Sequence, residues 1–279
     1  MTEVSAISPL QFRLALIQMR VRGGNKLWNL RHATDLIHEA SLHGADVVLL
    51  PECVDLGWTH PSCRELAEVI PDGIPCRMLS KAAKEHGVYV CAGLTERVKD
   101  NVYNAAVLIN RKGQVLCKHR KLNELAIGHE FYGQGDRLNV VQTEFGTFGV
   151  MICSDAFAPG QAISRSLCYM GADVILSPCA WAVPAGHDNV RQPYGDLWRS
   201  VYGPVCGDFS VWIAGVSNVG EIEAGPWAGQ KCIGCSLVFG PDGKEVLMGP
   251  YGTDAETILY LNIVPVERPA RGCGWDERR

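Results

Sequence analysis

The feature that most constrains this chain is an alternation, kept up nearly end to end, of short apolar runs and stretches whose apolar residues recur at helical spacing. Phe12 to Met19 and Asp46 to Leu50 read as strands. The second is so apolar that it predicts burial on both faces. Between them Leu30, Ala33, Leu36, Ile37 and Ala40 share one face of a helix that His43 and Gly44 close. Ile74 to His86 predicts a second helix, ended by Gly87. Val88 to Leu94 and Ala105 to Ile109 predict strands, and Asn110 to Gly113 turns the chain into a returning strand, Gln114 to His119. The second half repeats the pattern. Phe148 to Ile152, Asp173 to Leu176, Val211 to Val216 and Thr257 to Ile263 predict strands, and Ala162 to Met170 a helix. Val190 to Val205 predicts another helix, with Pro193 near its start. Cys235 to Phe239 and Glu245 to Met248 form a hairpin across Gly240 to Gly243. Tyr194, Trp198, Tyr202 and Cys206 recur every four residues, a stripe for the core or for a second copy of the chain. Such a pattern predicts an α/β fold with mixed sheets. With no linker or repeat in view, it predicts one domain over residues 1–279, its core about 12–263 and a C-terminal tail at 264–279.

Composition narrows the function classes. Of 279 residues, 47% are hydrophobic and 20% charged, which predicts a packed globular chain. Lys plus Arg is 26 and Asp plus Glu is 30, a net charge of −4, which speaks against nucleic-acid binding. No run approaches roughly 18 apolar residues, so no membrane partner is expected. Met1 to Leu10 lacks the basic start and apolar run of a signal peptide, which predicts a cytoplasmic location and twelve reduced thiols. Cys232 and Cys235 are the one Cys-x-x-Cys pair. Without a second pair or a histidine pair, no metal site is expected.

Three polar residues sit where buried strands are expected to end. Glu52 follows Val47 to Pro51, Lys121 follows the Gln114 to His119 strand, and Cys153 follows Phe148 to Ile152. Ligands of α/β sheets gather at strand carboxyl ends. A thiol, a carboxylate that takes its proton and an ammonium that stabilises an oxyanion would make a coherent acyl-transfer site there. Taken singly, each residue is more often a loop acid, a solvated lysine or a core cysteine, and the pattern alone does not show that the three meet.

At these residues the chain resembles the nitrilase superfamily, or carbon–nitrogen hydrolases, in its amidase-like branch. The first motif stands as Leu50-Pro51-Glu52 through Gly57-Trp58, the second as Lys118-His119-Arg120-Lys121-Leu122, and the third as Gly149-Val150-Met151-Ile152-Cys153-Ser154-Asp155. Val90 to Glu96, Tyr103 to Ala106, Gly171 to Leu176 and Pro178 to Trp181 also resemble the family's conserved stretches, so that the match runs from about Phe12 to Ile263. The resemblance implies an α-β-β-α sandwich and a Glu–Lys–Cys triad. Cys153 would be the nucleophile and Glu52 the general base and acid. Lys121, with the Ser154 N–H, would hold the oxyanion. A second family glutamate falls on Glu130, which Gly135 follows. Glu124 is set aside because it lies so close to Lys121 in sequence.

The implied reaction is hydrolysis of a small amide or N-carbamoyl compound through a thioester, without metal or cofactor. The alternatives are a nitrilase and a non-catalytic binding relative. Ser154 and Asp155, where true nitrilases tend to carry Trp and Glu, favour amides. Gly160 stands where the family usually has Glu, and Arg165 comes about two residues late, so the loop after the nucleophile is expected to be altered. Trp58, Ser154, Phe157 and Trp181 are the substrate-contact candidates. The family also implies a homodimer or larger even assembly.

Overall fold

The structure, a computed structural model, describes residues 10–266. The tail expected at 264–279 therefore lies almost wholly outside the described residues. Two six-stranded mixed sheets lie face to face. The first runs in the order β15 (Thr257–Ile263), β1 (Phe12–Gln18), β2 (Val47–Leu49), β3 (Tyr89–Val98), β4 (Asn101–Ile109), β5 (Val115–Arg120). Its β1, β2 and β3 are parallel and the outer strands antiparallel. The second runs β14 (Glu245–Met248), β13 (Leu237–Phe239), β10 (Trp212–Ser217), β8 (Val174–Cys179), β7 (Gly146–Val150), β6 (Val140–Thr143). Its parallel centre is β10, β8 and β7. A small sheet joins β9 (Ala182–Val183), β12 (Lys231–Ile233) and β11 (Val219–Glu221).

Strand periodicity builds the layers. In β1, Phe12, Leu14 and Leu16 point inward and pack with Val47, Leu49, Phe148, Val150, Leu176 and Val216 between the sheets. Ala15 and Ile17, on the other face, pack under α1 (Lys26–Leu42) and α3 (Ile74–His86). The outer face of the second sheet is covered by α4 (Ala162–Tyr169) and α5 (Gly195–Phe209). Each aliphatic side chain fully buried in these layers contributes roughly 1.5–3 kcal/mol. The layer order is thus α-β-β-α, as the family resemblance implies, and the mixed sheets are those the strand and helix pattern predicts. A satellite cluster around α2 (Cys63–Leu66) holds Cys53, Trp58, Phe131 and Tyr132. None of the helices among the described residues is long and apolar enough to cross a membrane.

Most expected elements fall within a few residues of their places, and Ile74–His86 and Thr257–Ile263 coincide with them. The helix expected over 190–205 starts at Gly195 instead and runs through Pro204 to Phe209. The Asp188 carboxylate accepts the N–H groups of Val190 and Arg191, and the Asn189 side chain accepts that of Tyr194. Those side chains hold residues 190–194 in a local turn that competes with helix. Trp198, Tyr202 and Cys206 of the aromatic stripe are buried against the second sheet.

Candidate active site

Glu52, Lys121 and Cys153 come together at one end of the sandwich. Glu52 lies three residues past β2, and its N–H donates to the Cys179 carbonyl at the end of β8, 3.1 Å away. The first sheet's base candidate is thereby fixed to the second sheet. Close approach at β3 makes this possible. A Cβ on Gly93 would fall 2.5 Å from Glu52 Cα and 2.8 Å from the Cys53 nitrogen. These are backbone atoms that cannot swing aside. We predict that Gly93→Ala costs about 2 kcal/mol of stability in chemical denaturation, through displacement of the Glu52 loop.

Lys121 follows β5 directly. Its N–H donates to the Asn104 carbonyl at 2.9 Å, and its own carbonyl accepts the Gly135 N–H at 2.9 Å. The ammonium, 3% exposed, lies 2.7 Å from Glu52 Oε1 and 2.9 Å from Glu124 Oε1. Asn104 spans the two carboxylates. Its Nδ2 donates to Glu52 Oε1 at 2.6 Å and to Glu124 Oε2 at 3.0 Å. Both donors to Glu52 thus use Oε1, and Oε2 remains for proton exchange.

Cys153 comes three residues after β7 and takes a left-handed backbone, φ 43°, uncommon for a residue with a Cβ. The chain breaks there into a tight turn, Cys153–Phe157. Cys153 is a half-buried residue whose thiol lies within the electrostatic reach of Cys179, Glu52 and Lys121. Asp155 anchors this turn. Its Oδ2 accepts the Ile152 N–H at 2.9 Å and meets His119 Nε2 at 2.7 Å. Its Oδ1 accepts the N–H groups of Leu122 and Asn123 at 3.0 and 2.8 Å. One carboxylate therefore ties the nucleophile turn to the loop after Lys121. Ser154 and Asn123 add a reciprocal pair: each side chain bonds the other's carbonyl, at 2.6 and 2.7 Å.

Charge in this pocket follows from burial and neighbours. Burial pushes the Glu52 carboxyl up, Lys121 pulls it back, and the Glu124 charge adds to the rise. Burial opposes the charge on Lys121, but Glu52 and Glu124 outweigh it and hold the ammonium well above its usual range. Burial, the contact with Cys179 and the Glu52 charge push the Cys153 thiol well up, against Lys121. The resting site is therefore a neutral thiol beside a fixed ammonium.

The remaining candidates divide. Glu130 lies outside the cluster: its side chain is 67% exposed and paired with Arg64 at 2.7 Å. The turn Ala126–Glu130 aims it outward while Phe131 and Tyr132, next in the chain, go into the satellite cluster. Glu124, set aside on sequence proximity, takes the place expected of Glu130. Its fit demands a glycine opposite, since a Cβ on Gly128 would fall 2.6 Å from Glu124 Cγ. The Trp58 ring centre is 5.5 Å from Lys121 Nζ. Phe157 meets Trp198 edge-on at 4.8 Å, and Trp181, fully buried, stacks on Trp198 at 4.4 Å. Those two rings belong to the packing behind the thiol. The altered loop is a second short turn, Pro159–Gln161, leading into α4, and Arg165 pairs with Asp208 of α5 at 2.7 Å. Sequence reasoning missed Asn104, His119 and Cys179 as members of the site. The polar Asn104 and His119 in otherwise apolar strand faces were the available signal.

An α-β-β-α sandwich with a buried carboxylate–ammonium–thiol cluster at one end defines the nitrilase type of protein. The model of the carbon-nitrogen hydrolase family matches residues 13–268, and the chain belongs to that family, within the nitrilase superfamily. Among its relatives, a protein named nitrilase from Pyrococcus abyssi is 32% identical over 89% of this chain and 90% of its own length. Omega-amidase NIT2 of Bos taurus is 31% identical over 90% of this chain and 88% of its own. The solved structure of Nit3 of Saccharomyces cerevisiae, a member of branch 10 of the nitrilase superfamily, superposes with TM-score 0.78 at 25% identity. It covers 94% of this chain and 93% of its own. An amidase from Nesterenkonia shares the fold, with TM-score 0.75 at 21% identity over 95% of this chain and 94% of its own.

Proposed function

We propose that this chain is an amidohydrolase that cleaves the C–N bond of a small linear amide or N-carbamoyl compound through a thioester on Cys153. The observation that carries the reading is the buried Glu52–Lys121–Glu124 cluster with the Cys153 thiol in its field. As Cys153 Sγ attacks the carbonyl carbon, Glu52 Oε2 takes the thiol proton. The oxyanion is held by the Lys121 ammonium and the Ser154 N–H. Glu52 then gives its proton to the nitrogen, and ammonia or an amine leaves as the thioester forms. Water attacks the thioester while Glu52 takes its proton. The second tetrahedral species collapses to the acid, and the proton returns to sulfur. Asn104 and Glu124 hold Lys121 and Glu52 in place throughout.

Support for amide chemistry comes from the omega-amidase relatives and from Ser154 beside the nucleophile. The relative named nitrilase keeps a nitrile as the second reading. Ammonia release from small amides, ω-amides, N-carbamoyl amines and nitriles, with wild-type and Cys153→Ala protein side by side, tests both. Turnover of nitriles but not amides would replace the first reading by the second. Loss of no activity in the variant would end both.

The pH dependence has a definite sign. The working form needs Glu52 ionised, so kcat/KM rises with pH through a Glu52 value above the ordinary 4.5. Lys121, held above 10.5, sets no alkaline limb below that pH. Because the Glu124 charge raises Glu52, Glu124→Gln is expected to move the acid limb to lower pH. It should also lower kcat by about tenfold or more through loss of the Lys121 contact. A pH–rate profile of the variant checks the shift, and an unmoved or raised limb would refute the coupling.

A further inference from the structure

Cys153 and Cys179 stand at matching places on two neighbouring strands. β7 and β8 run parallel with Val150 opposite Leu176, and the Met151 N–H donates to the Leu176 carbonyl at 3.2 Å. Each strand's chain runs on three residues past that pair, one to Cys153 and the other to Cys179. Adjacent strands lie roughly 4.8 Å apart, within the Cα span of roughly 4.4–6.8 Å that a disulfide bridges. Both cysteines pack into the cluster that α4 and α5 cover. The Tyr202 hydroxyl lies 3.9 Å from Cys179 Sγ and within electrostatic reach of Cys153, as the two thiols are of each other.

Access separates the two. Cys153 is half-buried, whereas every other cysteine among the described residues is buried, Cys179 fully. A small oxidant entering the site therefore meets Cys153 first. The Cys179 thiol lies 3.2 Å from the Ser177 carbonyl and 3.4 Å from Ser177 Oγ, and sulfur makes weak hydrogen bonds. Glu52 uses the Cys179 backbone carbonyl and not its sulfur. That sulfur takes no part in the hydrolytic steps and is available for another.

We propose that Cys153 and Cys179 form a peroxide-modification site, in which a small hydroperoxide oxidises Cys153 and Cys179 resolves the product as a disulfide that closes the active site reversibly. Burial and its neighbours keep the Cys153 thiol protonated, so the attack needs a base. Glu52 supplies it, as it does toward a carbonyl. Cys153 Sγ attacks one peroxide oxygen while Glu52 takes the thiol proton. The O–O bond breaks, and the departing oxygen takes that proton from Glu52 and leaves as water, or as an alcohol from an alkyl hydroperoxide. Cys153 is now a sulfenic acid. Cys179 Sγ attacks the Cys153 sulfur, the S–O bond breaks, and the hydroxyl leaves with the Cys179 proton as water. Two thiols have lost two hydrogens, and the peroxide has been reduced.

The test treats the reduced full chain with hydrogen peroxide and reads thiols and mass, with no substrate present. The wild type should lose two titratable thiols per chain and the mass of two hydrogens, and dithiothreitol should restore both. Arg165 lies between the two cysteines, so a tryptic digest separates them unless they are joined. Fragmentation should assign the bond to Cys179 and not to Cys168 of the same peptide. Cys179→Ser, whose thermal midpoint shows whether it folds, should instead gain two oxygens on Cys153 at the same dose, beyond rescue by dithiothreitol. Glu52→Gln should slow the wild-type thiol loss by about tenfold or more. A disulfide to another cysteine, a wild type that goes to the sulfinic acid with Cys179 intact, a Cys179→Ser protein that recovers as the wild type does, or a Glu52→Gln protein oxidised at the wild-type rate would overturn the proposal. The wild-type map decides even if Cys179→Ser does not fold. Because no readout needs turnover, failure here leaves the amidohydrolase reading standing, and failure to hydrolyse any amide leaves this one to be judged on the thiols.

Discussion

Cys153→Ala is expected to lower kcat/KM for every substrate of this chain by about 10⁴-fold or more, about 5.5 kcal/mol of transition-state stabilisation. The alanine variant loses the bond-forming atom and keeps the groups around it. Glu52 and Lys121 are bonded to each other, to Asn104 and to Glu124, none of which depends on the sulfur. The fold should be little changed, within about 1 kcal/mol. Cys153→Ser is expected to be nearly as inactive. Glu52 must take the nucleophile's proton, and a hydroxyl gives it up far less readily than a thiol in the same surroundings. Steady-state kinetics measures the loss, and mass spectrometry of the wild-type protein quenched during turnover should find an acyl adduct on Cys153. A variant with more than a tenth of wild-type activity would remove Cys153 from the mechanism.

How much of this was legible in the sequence depends on where each residue's constraint lies. Glu52 and Cys153 each close an apolar strand and Lys121 closes a more polar one. Strand ends alone do not show that the three meet across two sheets, and it was the resemblance to the carbon–nitrogen hydrolases that joined them. Glu124 gave the opposite signal. Three residues from Lys121 appears too short for a separate role, yet Asp155 gathers the N–H groups of Leu122 and Asn123 and folds the loop back. That bend is set from 32 residues away in the chain, and local reading cannot see it. Glu130 misled because its spacing to Gly135 looks right, while the side that a short turn presents is decided by the burial of Phe131 and Tyr132. The misplaced start of α5 has a local cause, the Asp188 and Asn189 side chains. The full length of the β3–β4 hairpin was hidden by a turn in which Lys99, not a glycine, takes the left-handed conformation at φ 52°.

The largest effect on stability is expected at Asp155. Asp155→Ala strands the His119 Nε2 and the N–H groups of Ile152, Leu122 and Asn123 in a site where Asp155 is fully buried and His119 is 1% exposed. Removing one partner of a buried, hydrogen-bonded charge costs roughly 3–5 kcal/mol. For a chain of this size that is about 5–9 °C in thermal midpoint. Burial opposes the carboxylate charge, but His119 and the backbone donors outweigh it and hold Asp155 below its ordinary 3.8. A depressed carboxyl contributes stability that is fully present above 3.8 and is lost as pH falls through the lower folded value. The wild type should therefore lose stability on that acid limb, and the alanine variant should lack the Asp155 share of it. Activity should fall as well, by about 10²-fold, because the nucleophile turn and the Lys121 loop no longer share an anchor. Asp155→Asn keeps the shape and one acceptor oxygen, so its losses should be smaller. A double-mutant cycle with His119→Gln isolates the pair, with an expected coupling of about 1 kcal/mol or more. Additive losses would mean that His119 merely fills space beside Asp155, and that the backbone donors alone hold the turn from which Cys153 acts.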